Sequence, residues 1–114
     1  MNLSIRVHGF ALRDEFRDYV ERRLDRAMSR FRGRITSLTV QLSDVNGPRG
    51  GVDKVCLITA VVPGVGEIAA GEKADSLSAA TDLAARRLKT RIASMISKHR
   101  TRGQSSIRTM AATA

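Results

Sequence analysis

The chain has 114 residues, enough for one domain with a single core, and its aromatic content of only 4% means that this core must be mainly aliphatic. Its net charge of +9 indicates a polyanion or an anionic surface as the partner. No stretch approaches the roughly 18 to 20 apolar residues that cross a bilayer, the first ten residues show no signal-peptide pattern, and the single Cys56 excludes an internal disulfide and favours a reducing cytoplasm.

A strand and an amphipathic helix open the chain. Leu3, Ile5 and Val7 alternate with polar residues, which is typical of a half-buried strand, and Gly9 breaks the alternation. Apolar residues then recur at spacings of three and four over residues 12–31, which predicts a helix.

Three more strands are predicted after this helix. Residues 35–43 alternate between apolar and polar, residues 55–62 are apolar at nearly every position, and residues 67–73 complete the set. The segment 44–53, rich in Gly, predicts a loop, and the motif PGVG at 63–66 predicts a hairpin turn.

The second helix begins at Asp75 or Ser76, either of which can cap it. Residues 101–114 are polar, have no apolar period and are predicted to be a disordered tail, so the folded domain comprises residues 1–100. One stripe of the helix is predicted to be buried, and it contains Leu77, Thr81, Ala84, Leu88, Ile92 and Met95.

The element order is therefore β-α-β-β-β-α, without an internal repeat. Two amphipathic helices and four strands can bury their apolar faces against one another when both helices cover one face of a single, mostly antiparallel sheet. We expect an α+β fold of this kind.

Positive charge is concentrated on the two helices. The net charge is +3 over residues 13–34 and +7 over residues 82–108, whereas the rest of the chain carries −1. On the second helix, Arg87, Arg91 and Lys98 share one flank, while Arg86, Lys89 and Arg100 lie on the opposite side.

We predict that the two helices contact phosphates through these cations. In the expected packing the flanks face a common groove, lined or bordered by Arg23, Arg26 and Arg30 of the first helix and by Arg87, Arg91 and Lys98 of the second. A protein that is basic only for solubility is the alternative. The predicted RNA-binding set is Arg23, Arg26, Arg30, Arg86, Arg87, Lys89, Arg91, Lys98 and Arg100.

No catalytic or metal site is predicted. His8 and His99 have no second ligand at a suitable spacing, and Cys56 lies in an apolar strand, where it is expected to be a core residue. Asp44 and Asp53 flank a loop with no base or nucleophile near them. We therefore expect no enzyme activity, no cofactor and no small-molecule substrate.

The chain resembles the ribosome hibernation promoting factor family, which includes the ribosome-associated inhibitor and the ribosomal subunit interface proteins. The resemblance covers about residues 2–100 and lies in three stretches: LRDEFRDYVERRLDRAMSRF, RITSLTVQLS and AAGEKADSLSAATDLAARRLKTRI. It implies a β-α-β-β-β-α domain similar in layout to double-stranded RNA-binding domains. It also implies binding to the small ribosomal subunit, in the channel for messenger and transfer RNA, which blocks translation in stationary or stressed cells.

Several positions can be compared with the family pattern. Arg23 and Arg26 match its basic pair on the first helix, and Arg87 matches a basic residue on the second. Ser78 and Thr81 replace the family's Tyr and Ile, so a contact made by that ring is absent here. The loop 44–53 is longer than in short members, and no second domain is evident after residue 100, as in a short form.

A second hypothesis is a self-associating structural or regulatory module that binds protein. In the strand over residues 55–62, apolar residues occupy both faces, with Val55, Leu57 and Val61 on one of them. Since the helices cover only one face of the sheet, the apolar residues on the other face are expected to be partly exposed. A homodimer is compatible with this pattern but is not predicted. Membrane-surface binding is less favoured, because the basic flanks lack large apolar neighbours.

Overall fold

The structure is a computed structural model that describes the backbone of residues 2–44 and 54–113 and the side chains of residues 2–44 and 54–99. The predicted element order is confirmed, with one 3₁₀-helix added after the first helix. The elements are β1 (Asn2–His8), α1 (Asp14–Ala27), the 3₁₀-helix (Ser29–Phe31), β2 (Ser37–Asp44), β3 (Lys54–Val62), β4 (Gly66–Ala74) and α2 (Leu77–Thr113).

The four strands form one sheet in the order β1-β2-β3-β4. β1 is parallel to β2, and the other two pairs are antiparallel, so the sheet is mixed but mostly antiparallel, as expected. Ile5 lies opposite Val40, Val40 opposite Ile58, and Ile58 opposite Ala70. This row crosses the whole sheet on the face that the helices cover.

Both helices contribute to a single core over that face. Leu24 and Met28 of the first helical segment and Leu88 and Ile92 of α2 are completely buried in it, together with Val40. The α+β arrangement with both helices on one face is confirmed.

Most of the predicted buried stripe of α2 is confirmed, because Thr81, Ala84, Leu88 and Ile92 are buried, whereas Leu77 is only half-buried. Ala80 and Ala85 are buried in addition, and the end of the stripe differs from the prediction. Met95 is 39% exposed, whereas Ile96 is 8% exposed and belongs to the core. Positions three and four residues beyond Ile92 both lie near the stripe of a 3.6-residue helix. Which one is buried depends on the neighbouring elements: Met95 lines an open hollow together with residues of β4, whereas Ile96 lines the hollow beside Phe31.

The two turns next to the sheet need glycine. Gly9 and Gly64 have φ of +92° and +85°, in the region that side-chain-bearing residues avoid. The Gly64 turn joins β3 to β4 and confirms the predicted hairpin, which the hydrogen bond from Val65 N to Val62 O (3.0 Å) closes.

The beginning of α2 is capped by Ser76, one of the two predicted caps. The backbone N–H of Ala79 donates to Ser76 Oγ at 3.1 Å. At the other end the backbone of α2 continues to Thr113, and the disordered tail over residues 101–114 stays a prediction. The division at residue 100 stays a prediction, and the predicted loop at 44–53 lies mostly outside the described residues.

Within the described residues, no helix is long and apolar enough to cross a bilayer.

Candidate nucleic-acid interface

A cleft of about 530 Å³ lies between α1 and α2. Its floor includes Ala27, whose small side chain leaves room between the two helices. Four cations and one carboxylate line it: Arg23 and Arg26 from α1, and Asp82, Arg86 and Lys89 from α2. We call it the interhelical cleft. Its charged residues sum to +3 in formal charge, which favours a polyanionic ligand.

The cationic lining continues past the end of α1. A second hollow of about 360 Å³ is lined by Arg30 and Arg34 together with Phe31 and the facing part of α2. The guanidinium carbon of Arg30 lies 5.6 Å from the centroid of the Phe31 ring, a cation–π contact that helps to hold this side chain against the protein. Arg34 was not among the predicted RNA-binding residues, although its charge is visible in the sequence.

The structure corrects the predicted lining of the groove from α2. Arg87, Arg91 and Lys98 do not face α1, because they lie on the other side of α2, beside β4. Arg87 pairs with Glu72 at 2.8 Å, and Arg91 Nη1 donates to the backbone oxygen of Ala69 at 2.7 Å. We call Arg87, Arg91 and Lys98 the strand-side flank.

The residues that face α1 are instead Arg86 and Lys89, which were predicted to lie on the side of α2 opposite that flank. Residues 82, 86 and 89 are spaced by four and three, so they lie on one stripe of α2. Arg100, the remaining predicted residue, has no described side chain and stays a prediction.

Asp82 joins the two helices at the cleft. Its Oδ1 accepts a hydrogen bond from the Tyr19 hydroxyl at 2.5 Å and another from Arg23 Nε at 3.0 Å. The Phe16 ring stacks on that of Tyr19 at a centroid distance of 5.8 Å. Burial raises the pKa of the Tyr19 phenol, and the hydrogen bond and negative charge of Asp82 raise it further, although Arg23 lowers it. Tyr19 therefore stays protonated at neutral pH and donates to Asp82.

Asp82 and Tyr19 were not among the predicted site residues. Two signals were available: Asp82 is the only acidic residue of α2, and Tyr19 and Arg23 are four residues apart, so they lie on one side of α1.

Most of the cleft cations are free to bind a ligand. Arg23 is paired with Asp82, but over residues 2–44 and 54–99 Arg26, Arg86 and Lys89 form no ion pair with a carboxylate. All three side chains are exposed, and all three line the open cleft. Guanidinium groups bind phosphate oxygens in a bidentate manner and the lysine ammonium binds them as a point charge, so the arrangement suits a phosphate backbone.

The sheet, the two helices and the cationic cleft define a class: a two-layer α+β domain with a positively charged groove between its helices. A family model described as sigma 54 modulation protein / S30EA ribosomal protein matches residues 3–102. The chain belongs to this family of ribosome-associated proteins, which confirms the resemblance found in the sequence.

Two solved structures are similar to this chain. A ribosomal subunit interface protein from Coxiella burnetii superposes with a TM-score of 0.72 at 18% identity, covering 85% of this chain and 99% of that one, and shows the shared fold. The N-terminal domain of Thermus thermophilus Protein Y superposes with a TM-score of 0.64 at 30% identity, covering 79% of this chain and 93% of that one. A comparison with curated proteins found no significant match.

Proposed function

We propose that this protein binds the small ribosomal subunit in the cytoplasm, contacts the phosphates of its RNA through the interhelical cleft, and inhibits translation during stress or stationary phase. The observation that carries the proposal is the cleft itself, in which cations from two helices converge on one concave surface. Membership of a ribosome-associated family supports the ribosome as the source of the RNA. The proposal involves binding only, with no catalytic step.

Two kinds of cation contribute differently in this proposal. The cleft residues contact phosphates directly, because they border a concave site and Arg26, Arg86 and Lys89 have no carboxylate partner over residues 2–44 and 54–99. The strand-side flank adds to the positive field that attracts RNA, but Glu72 offsets the charge of Arg87 and the Ala69 carbonyl holds Arg91. Charges at the rim of an interface mainly affect the association rate.

A matched pair of variants on the same helix tests this division. One carries Arg86→Glu and Lys89→Glu in the cleft, and the other carries Arg91→Glu and Lys98→Glu on the strand-side flank. Each reverses one Arg and one Lys, so both proteins change by the same net charge. Co-sedimentation with purified small subunits through sucrose should fail for the cleft variant and persist, weakened, for the strand-side variant.

The same proteins can be added to a cell-free translation reaction. The parent should inhibit protein synthesis, and the cleft variant should not. If both variants lose binding and inhibition equally, net charge rather than the cleft explains the interaction. If the parent binds no small subunits at low salt, the proposed function is wrong.

The alternative of a self-associating module depends on the sheet face that the helices leave uncovered. Val55, Leu57 and Val61 lie there and are half-buried. Each is flanked by polar neighbours or glycine on β2 and β4; Leu57, for example, lies between Gln41 and Gly71. Across the strand residues that the structure describes, these apolar side chains thus have no apolar partner on the neighbouring strands, which favours the RNA-binding proposal. Light scattering that found a dimer insensitive to salt would favour the alternative.

A further inference from the structure

The carboxylate of Asp82 lies in a cleft that otherwise carries only positive charge. It is 40% exposed, so it contributes its charge to the surface that a ligand would meet. A phosphate in the cleft would be repelled by this group. Asp82 therefore lowers the general attraction of the cleft for polyanions, and any benefit to RNA binding must come through the residues that it contacts.

Those contacts orient one arginine. Asp82 Oδ1 accepts from Arg23 Nε and from the Tyr19 hydroxyl, and both donors lie on the same side of α1. Among the hydrogen bonds of the described residues, Arg23 uses only its Nε, so its two terminal amino groups have no protein acceptor. Since the guanidinium group is planar, holding Nε also sets the direction of the terminal pair. That pair is the edge that binds phosphate in a bidentate manner.

The Arg23 side chain is 23% exposed and is therefore already partly ordered before any ligand arrives. Immobilising a long side chain on binding costs affinity, and ordering it in advance removes part of that cost. The benefit is selective, because a preordered guanidinium helps a ligand whose phosphate lies at the matching position. A flexible polyanion can use any cation in the cleft and gains much less.

We propose that Asp82 is a positioning residue for RNA binding, which presents the terminal amino groups of Arg23 to the cleft and makes the site prefer structured RNA over polyanions in general. The inference rests on the proposed function, in which small-subunit RNA occupies the interhelical cleft. It adds a residue of opposite charge to a set that was predicted from positive charge alone.

Two substitutions separate the charge of Asp82 from its geometry. Asp82→Asn removes the charge but keeps an oxygen that accepts from Tyr19 and Arg23, whereas Asp82→Ala removes both. The ligands are purified small subunits and single-stranded poly(U), measured side by side at one salt concentration. Both variants should bind poly(U) a few-fold more tightly than the parent. Asp82→Ala should bind small subunits about tenfold more weakly, and Asp82→Asn should bind them at least as well as the parent.

A second background distinguishes positioning from a structural role. Asp82 also links α1 to α2, so Asp82→Ala could weaken binding by loosening the helices. If Asp82 acts through Arg23, then adding Asp82→Ala to an Arg23→Ala protein should cause no further loss of small-subunit binding. A further loss of about tenfold in that background would overturn the inference, because the effect would not depend on Arg23.

The outcomes also separate this inference from the proposed function. If the parent does not bind small subunits, the proposed function fails. If the parent binds them and Asp82→Ala binds them equally well or better, RNA binding stands and the positioning role of Asp82 is wrong.

Discussion

The salt dependence of binding gives a quantitative test of the interhelical cleft. Each phosphate that a protein cation neutralises changes the slope of log affinity against log salt by about 0.7 to 0.9. Six contacts would therefore give a slope of about −4 to −5, so that affinity falls about 500-fold between about 50 and about 200 mM salt. The structure places six cations along the cleft and its continuation: Arg23, Arg26, Arg30, Arg34, Arg86 and Lys89.

The perturbation is the neutral double variant Arg86→Ala and Lys89→Ala. Removing two of six contacts should reduce the slope by about 1.5, to about −3, and the same change in salt should then weaken binding only about 60-fold. Fluorescence anisotropy of labelled protein titrated with small subunits, at constant magnesium, measures both slopes. The matched control is Arg91→Ala with Lys98→Ala, which should leave the slope close to that of the parent.

Two results would refute this reasoning. An unchanged slope in the cleft variant would mean that Arg86 and Lys89 do not neutralise phosphates. A reduction of the same size in the control would mean that the two sides of α2 contribute alike, and the cleft would have no special role.

Three further predictions concern the fold. Ile96→Ala should lower the free energy of unfolding by about 2 kcal/mol or more, whereas Met95→Ala should lower it by about 0.5 kcal/mol or less. The reason is that Ile96 is 8% exposed and Met95 is 39% exposed. Urea denaturation measures both losses, and equal losses would contradict the observed helix register. Gly9→Ala should cost at least about 1 to 2 kcal/mol, because φ is +92° and the new Cβ would lie 2.8 Å from the Asp44 carbonyl oxygen; a thermal midpoint equal to that of the parent would contradict this. Burial raises the pKa of the Cys56 thiol to about 11, so about one molecule in a thousand carries a thiolate at pH 8. A thiol reagent should therefore label the native protein far more slowly than the unfolded protein. The labelling rate of the native protein should increase as the pH approaches 11.

Much of the fold was predictable because local patterns determine it. Alternation at Leu3, Ile5 and Val7 predicted β1, and spacings of three and four predicted both helices. The end of the buried stripe was not predictable, since Met95 and Ile96 lie at similar angles on opposite sides of Ile92. The elements packed around the helix decide which of the two is buried.

The contacts of Asp82 with α1 could not be predicted from the sequence for a different reason. Its hydrogen bond to Tyr19 joins residues 63 positions apart, and that to Arg23 joins residues 59 apart. No local period relates such positions. Only the packing of α1 beside α2 brings them into contact.

The sequence by itself determined that α2 has two cationic flanks, because a right-handed helix of 3.6 residues per turn separates Arg86 and Lys89 from Arg91 and Lys98 wherever it lies. Only the tertiary structure decided which flank borders the cleft. The residues of α2 keep the same angles around its axis whichever side α1 packs against. The side that α1 occupies depends on the path of the chain from α1 through the sheet to α2. The interhelical cleft therefore contains Arg86 and Lys89, and the strand-side flank lies against β4.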